Sequence, residues 1–354
     1  MKPAALPRNF THAKSLALIY TDPMQLSKKT LLCLRIAGFA ISIFLLAFLL
    51  KRIHAKTLAA TFHTMEIGWF LLAALLYGFL FVPATSRWKI ALKATGSHIR
   101  FFPALRLSLI GHFFYTILLG AAGGDAAKSA LYSRWNGLPL TKILAASSID
   151  RLLGLVGLIV FTAFAFGLAA SQGGLENLGS MSVRWPAWWL LLAMVVIGAI
   201  VIWLRRSHIE SPQRRFLKTL SESSRKLMRC PGDFSTGILC GILVQASLSG
   251  VLALCLNAVS VEPIPWARLA WTFPVISVVS ALPVTFAGLG VRDSASVVLF
   301  GMCHVPASTA IAASLLTAAV SLVWTIVGAG LLWWEIWHKE PDFQLRNFSA
   351  FVSR

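Results

Sequence analysis

Two short stretches of this chain join glycine-rich backbone to charged side chains. Leu119-Gly120-Ala121-Ala122-Gly123-Gly124-Asp125 is one, and Phe286-Ala287-Gly288-Leu289-Gly290-Val291-Arg292-Asp293 is the other. Glycine lets a backbone approach a ligand closely, and the free N–H groups and partial positive charge at the start of a helix attract anions. The chemistry this suits is anion binding, with a phosphate headgroup as the natural ligand. Gly123, Gly124, Gly288 and Gly290 are candidate backbone contacts, and Arg292 and Lys128 candidate cationic ones. Asp125 and Asp293 also read as ordinary helix N-caps.

A third pair, Asp150-Arg151, lies inside an apolar run that begins near Lys142. At 1.5 Å per residue this is a depth of about 12 Å, where a charge costs about 2.5–3.5 kcal/mol on insertion scales. Adjacent helical positions point about 100° apart, so the two do not pair with each other. Arg292, Asp125, Lys128 and Arg134 are the available partners. Two readings follow. In one, Arg151 and Arg292 hold an anionic headgroup while Asp150, Asp125 and Asp293 orient the cations or carry a coupling proton. In the other, the charges form a salt-bridge network that locks the elements together. Arg35 and Arg106 read as snorkelling or interfacial residues.

Enzyme signatures are missing: the eight histidines include no HExxH, and there is no GxSxG and no P-loop. An intramembrane enzyme using Asp150 as a base would lack a visible nucleophile and base pair, so no catalytic residue is assigned. The five cysteines form no CxxC pair and mostly lie in apolar stretches, so no disulfide framework, metal site or cofactor is implied.

The elements that must position these residues follow from composition. Of 354 residues, 57% are hydrophobic and 13% charged, against roughly 45–50% and about 25% in soluble domains. Apolar runs near 31–50, 67–86, 143–169, 186–204, 234–258 and 307–334 are each long enough to cross a hydrocarbon layer of about 30 Å as a helix. Residues 101–135 and 267–303 are apolar but broken, the first by Pro103 and its glycines, the second by Pro274, Pro283, Gly288 and Gly290. Such breaks suit re-entrant helical hairpins buried in protein. The net charge of +19 collects between apolar runs, where it reads as topology signal and headgroup contact and not as a nucleic-acid surface.

The chain matches itself without gaps at an offset of 167 residues. Gly123 pairs with Gly290, Ser129 with Ser296, Pro139 with Pro306, Ala145-Ala146-Ser147 with Ala312-Ala313-Ser314, Leu155-Val156 with Leu322-Val323, and Ile159-Val160 with Ile326-Val327. The glycine and proline matches weigh most, since they mark a break and a helix start at one phase. Each half, about 31–170 and 186–335, then holds three crossings and a hairpin. Three is odd, so the second copy lies inverted, a common plan of secondary transporters. Basic residues between Arg205 and Arg229, in the N-terminal segment and at Arg87, Lys89, Lys93 and Arg100 place those loops and both termini in the cytoplasm. Lys51, Arg52 and Lys56 run against this count.

Gly123-Gly124-Asp125-Ala126-Ala127-Lys128-Ser129-Ala130-Leu131-Tyr132, Gly137-Leu138-Pro139 and Ser148-Ile149-Asp150-Arg151-Leu152 resemble the first signature of the flippase-like transmembrane domain of lysylphosphatidylglycerol synthases. Leu282-Pro283, Gly288-Leu289-Gly290-Val291-Arg292-Asp293 and Val305-Pro306 to Ser314-Leu315-Leu316 resemble its second. The resemblance runs from about residue 30 to 335. Asp293 stands where Glu is frequent and Lys128 where Arg is frequent, so the charge signs are kept. In two-domain members a soluble aminoacyl-transferase domain follows; here only residues 336–354 follow, so synthase activity is not carried over. The resemblance implies a stand-alone member that moves phospholipid, polyprenyl-linked or hopanoid lipids between leaflets.

The expectation is an all-α polytopic protein of the bacterial inner membrane. It has a cytoplasmic segment 1–30, a flippase-like domain 31–335 of six spanning helices and two re-entrant hairpins in inverted repeat, and a cytoplasmic tail 336–354. Its partner is a membrane phospholipid or isoprenoid lipid, without nucleic acid. The competing expectations are a non-transporting subunit docking an envelope lipid enzyme through the Arg205–Arg229 loop, and an intramembrane lipid-processing enzyme.

Overall fold

The computed structural model describes residues 65–117, 120–173, 211–260, 266–281 and 291–339. All regular structure among them is helical: α1 (Ile67–Ala94), α2 (Phe101–Ile117), α3 (Gly120–Asn136), α4 (Leu140–Ser171), α5 (Ser211–Met228), α6 (Pro231–Val259), α7 (Trp266–Leu269), α8 (Thr272–Ala281), α9 (Val291–Gly301) and α10 (Ala307–Lys339). Four are long and apolar enough to cross a membrane: α1, α4, α6 and α10 over Ala307–Glu335. They contain the runs expected at 67–86, 143–169, 234–258 and 307–334. The runs expected at 31–50 and 186–204, and with them Arg35, lie outside the described residues.

The matched prolines explain the register. Pro139 caps α4 in extended backbone, and Pro306 directly precedes α10. A proline N–H is not missed at a helix start, so α4 and α10 begin at Leu140 and Ala307, 167 residues apart. At the same offset α1 overlaps α6, α2 overlaps α7 and α8, and α3 overlaps α9.

Packing follows the same correspondence. The pair α1 and α6 forms the most extensive contact, with α4 and α10 each against both. The second arm of each interrupted stretch packs on the long helix of its own half: α3 on α4, α9 on α10. The first arm packs on the long helix of the other half: α2 on α10, and α7 with α8 on α4. Interlocking of this kind ties the halves into one core. Trp88, Leu92, Ile143, Ile149 and Leu153 fill one side of it, and Tyr77, Phe81, Val251, Leu256, Phe300 and Ile311 the other.

Outward faces are apolar. Ile67, Leu71 and Leu75 on α1, Leu152, Leu155 and Ile159 on α4, and Leu322 and Ile326 on α10 are exposed at helical spacing. In water so large an apolar surface would associate, whereas lipid tails solvate it. Loss of all backbone polar groups into helix hydrogen bonds is the matching requirement of a bilayer.

Candidate functional site

The site is built where α1, α3 and α4 meet. Asp150 is buried on α4, and its partner is Arg87 on α1: Nε donates to Oδ1 at 2.8 Å and Nη2 to Oδ2 at 3.3 Å. This bidentate pair is nearly sealed, with side-chain exposures of 12% and 8%. Gly154, one turn after Asp150, makes room for it: a Cβ there would stand 2.5 Å from Arg87 Nη1. The structure therefore corrects the reading of Arg87 as a loop residue and of Asp150 as the group orienting Arg151 or Arg292. Helix α1 continues to Ala94 because nothing from Ala84 to Ala94 breaks it, and this carries Arg87 into the core.

Arg151 turns the other way, as adjacency on a helix requires. Its Nε and Nη2 reach Asp125 Oδ2 on α3 at 2.7 and 2.6 Å. Lys128, one turn after Asp125, stands 3.4 Å from the other carboxylate oxygen and 4.4 Å from the centre of the Trp88 ring. Asp125 is thus shared between two cations. Arg87, Lys128 and Arg151 against Asp125 and Asp150 leave one positive charge, and the most accessible cation is Arg151, whose side chain is 48% exposed while Lys128 is 9% exposed. Arg134 is exposed in the last turn of α3 and takes no part in this cluster. Arg106 stands 3.5 Å from Glu335.

Two expectations about the first glycine-rich stretch are overturned. Gly123, Gly124 and Asp125 lie inside α3, which starts at Gly120, so they form neither an open ligand turn nor an N-cap. Gly124 serves packing: a Cβ on it would come 2.6 Å from the Gly111 carbonyl oxygen of α2. Without side chains the two arms touch backbone to backbone. Gly288 and Gly290 lie outside the described residues.

In the second half Arg292 and Asp293 open α9, with Asp293 in its first turn. Arg292 Nε donates to Ser314 Oγ and Nη2 to the Ser314 carbonyl, both at 2.9 Å. Ser314 Oγ donates to Asp293 Oδ1 at 2.5 Å, and Arg292 Nη2 lies 3.8 Å from the same oxygen. The structure does not pair Arg151 with Arg292. Each is held by its own half.

A further polar knot was not legible in the sequence. Tyr77 on α1 donates to Ser321 Oγ on α10 at 3.2 Å, and His112 Nε2 on α2 lies 3.2 Å from the Ser321 carbonyl oxygen. Thr116 and Thr325 bond at 2.9 Å one turn on, and His112 stacks on Tyr115 with centroids 5.6 Å apart. These residues are single polar positions in apolar runs, up to 244 residues apart, and no local spacing marks them. The signal that could have found Arg87 is Asp150 with Gly154, a buried acid beside a gap on one helix face. Among the described residues no group of three or more His, Cys, Asp or Glu side chains is placed to hold a metal.

Four described helices of membrane length, packed around buried ion pairs and wrapped in apolar side chains, define an all-helical membrane protein. Residues 35–330 match the family described as the lysylphosphatidylglycerol synthase TM region. The chain belongs to that family, which ties it to membrane lipid. No curated protein matches it.

Proposed function

We propose that the protein moves an anionic, polyprenyl-linked or hopanoid-type lipid between leaflets of the bacterial inner membrane, without covalent chemistry. The observation that carries this is the Arg151–Asp125–Lys128 cluster. It holds excess positive charge and offers one half-exposed guanidinium, whose planar donors match a phosphate. Because Lys128 also contacts Asp125, Arg151 can turn to a headgroup without stranding a bare carboxylate. Arg292 adds positive field from the other half, and Asp150 holds Arg87 in place beneath the site. Six crossings with two re-entrant hairpins in inverted repeat, and cytoplasmic termini, would let the halves rock about α1 and α6 to present the site to either leaflet. An ion gradient or the lipid gradient itself supplies the drive.

The test is leaflet exchange of fluorescent phosphatidylglycerol in vesicles containing the purified chain. Arg151→Ala is expected to slow exchange at least tenfold while Arg134→Ala leaves it unchanged. Equal rates in the parent and Arg151→Ala would overturn the proposal.

A further inference from the structure

The polar knot between α1, α2 and α10 holds an ionisable side chain at membrane depth that the Arg151 cluster does not involve. Ser321 is the central residue of the 29-residue span Ala307–Glu335, about 21 Å from either end at 1.5 Å per residue. His112 Nε2 reaches it, 3.2 Å from its carbonyl oxygen and 3.3 Å from Oγ. Ionisable groups at such depth are costly and mark proton relays and ion paths.

Three features suit His112 to hold a proton. A carbonyl only accepts, so Nε2 carries hydrogen and Nδ1 is the basic nitrogen of the neutral ring. Among the described residues Nδ1 has no hydrogen-bond partner, and the side chain is partly exposed; Nδ1 is not among the polar atoms closed off without a partner, so water reaches it. Proton uptake there breaks no bond and strengthens the one to Ser321. Aromatic rings surround the imidazole, with centroids at 5.3 Å for Phe81, 5.6 Å for Tyr77 and 5.6 Å for Tyr115, and ring faces attract a cation. The position is the third feature: the bond joins α2 to α10, elements that the proposed rocking moves against each other. Tyr115, stacked on His112 at 13°, carries the link onward to Gly124 beside Asp125, where a Cβ would stand 3.1 Å from the Tyr115 Cβ.

Few charged or titratable groups surround the ring. Helix α1 presents Tyr77, its Arg87 being paired with Asp150. Helix α2 presents Tyr115 and, toward its start, Arg106 beside Glu335 of α10. Helix α10 otherwise presents hydroxyls, with Arg292 and Asp293 held at Ser314 two turns before Ser321. Helix α3 brings Lys128, whose Cβ would lie 3.3 Å from a Cβ on Gly111, with Asp125 beside it. None of the carboxylates among the described residues bonds His112.

We infer that His112 is a proton-binding site, neutral with hydrogen on Nε2 and loaded at Nδ1, and that its proton is taken up together with the anionic headgroup at Arg151. An anion nearby favours the charged imidazole, and by linkage the proton favours the anion. The coupling rests on the transport reading, whereas the proton site does not.

Nitrogen NMR of the full chain in neutral detergent, labelled in histidine, reads the site. Signals of His112 are those lost in His112→Gln and shifted in Tyr115→Leu, which keeps the imidazole and removes its stacked neighbour. The expected result is an Nδ1 that passes from bare to protonated between about pH 8 and 5 while Nε2 keeps its hydrogen. An Nδ1 that stays bare over this range, or a bare Nε2, would overturn the inference. Leaflet exchange of fluorescent phosphatidylglycerol reads the coupling. In the parent, and in a chain altered at the exposed His98 by His98→Gln, the rate falls by up to about tenfold per pH unit above the titration midpoint, as a one-proton step requires. In His112→Gln it is flat, at or below the parent's alkaline rate. A flat profile in the parent, or the parent's profile kept in His112→Gln, overturns the coupling. Absence of exchange by the parent at every pH is the failure of the transport reading, and the titration alone then decides the proton site.

Discussion

The two halves share a scaffold and differ in how they seat charge. In both, a serine on the helix preceding the long helix and a serine on the long helix itself occupy matched positions, Ser129 with Ser147 and Ser296 with Ser314. In the first half these two hydroxyls bond each other at 2.9 Å, and neither is taken by a charged group. In the second half Ser314 is taken by Arg292 and Asp293, and the buried Ser296 hydroxyl has no partner among the described residues. The positions matching Asp150 and Arg151 are Thr317 and Ala318, so α10 contributes no charge there. The lesson is one of division. The second half ties Arg292 and Asp293 of α9 to α10 through Ser314, with Asp293 fully buried, and the first half keeps a shared carboxylate and an accessible arginine.

Substitutions can break that comparison. The largest expected effect is Asp150→Ala, which strands Arg87 in the core and destabilises the fold by about 3–5 kcal/mol; chemical unfolding in detergent reads it, and no loss would show that the pair is not sealed. Next is Ser314→Ala, which removes one bond from a guanidinium and one to a carboxylate for about 3 kcal/mol. Its counterpart Ser147→Ala loses a single neutral bond, about 1 kcal/mol. Equal losses at the two serines would erase the asymmetry between the halves.

Between these in size is Gly157→Ala. A Cβ there would stand 2.6 Å from the Gly241 carbonyl carbon of α6, and forcing the helices apart costs about 2 kcal/mol. The matched crossing of α10 with α1 is built differently: Trp324 takes the place of Gly157, and its indole N–H donates to the Ala74 carbonyl at 2.9 Å over the gap left by Gly78. A thermal melt of Trp324→Phe, which keeps a ring but loses the donor, should show a loss near 1 kcal/mol, smaller than that of Gly157→Ala.

How much of this was legible in the sequence depends on how local the cause is. Helix starts at Leu140 and Ala307 follow from prolines, and the four described long helices from apolar runs, so both could be read. Arg87 could not be placed, because four basic residues between 87 and 100 look like a loop flank, and only the unbroken helix through Ala94 shows that one of them points inward. Gly123 and Gly124 misled for a related reason. A glycine pair signals a turn and a close helix contact equally well, and the deciding neighbour, Gly111, sits on another helix. The Asp125–Arg151 pair was available as an expectation since both charges were already conspicuous in apolar surroundings. Tyr77, His112 and Ser321 meet only in three dimensions.

The central claim is that the accessible cation of the first half, and not the sealed one of the second, receives an anionic headgroup. Native mass spectrometry of the purified chain with phosphatidylglycerol tests it most directly, comparing Arg151→Ala with Ser314→Ala. The account predicts that Arg151→Ala loses one tightly retained lipid while Ser314→Ala keeps it. Retention of the same lipid complement by Arg151→Ala and the parent would contradict it.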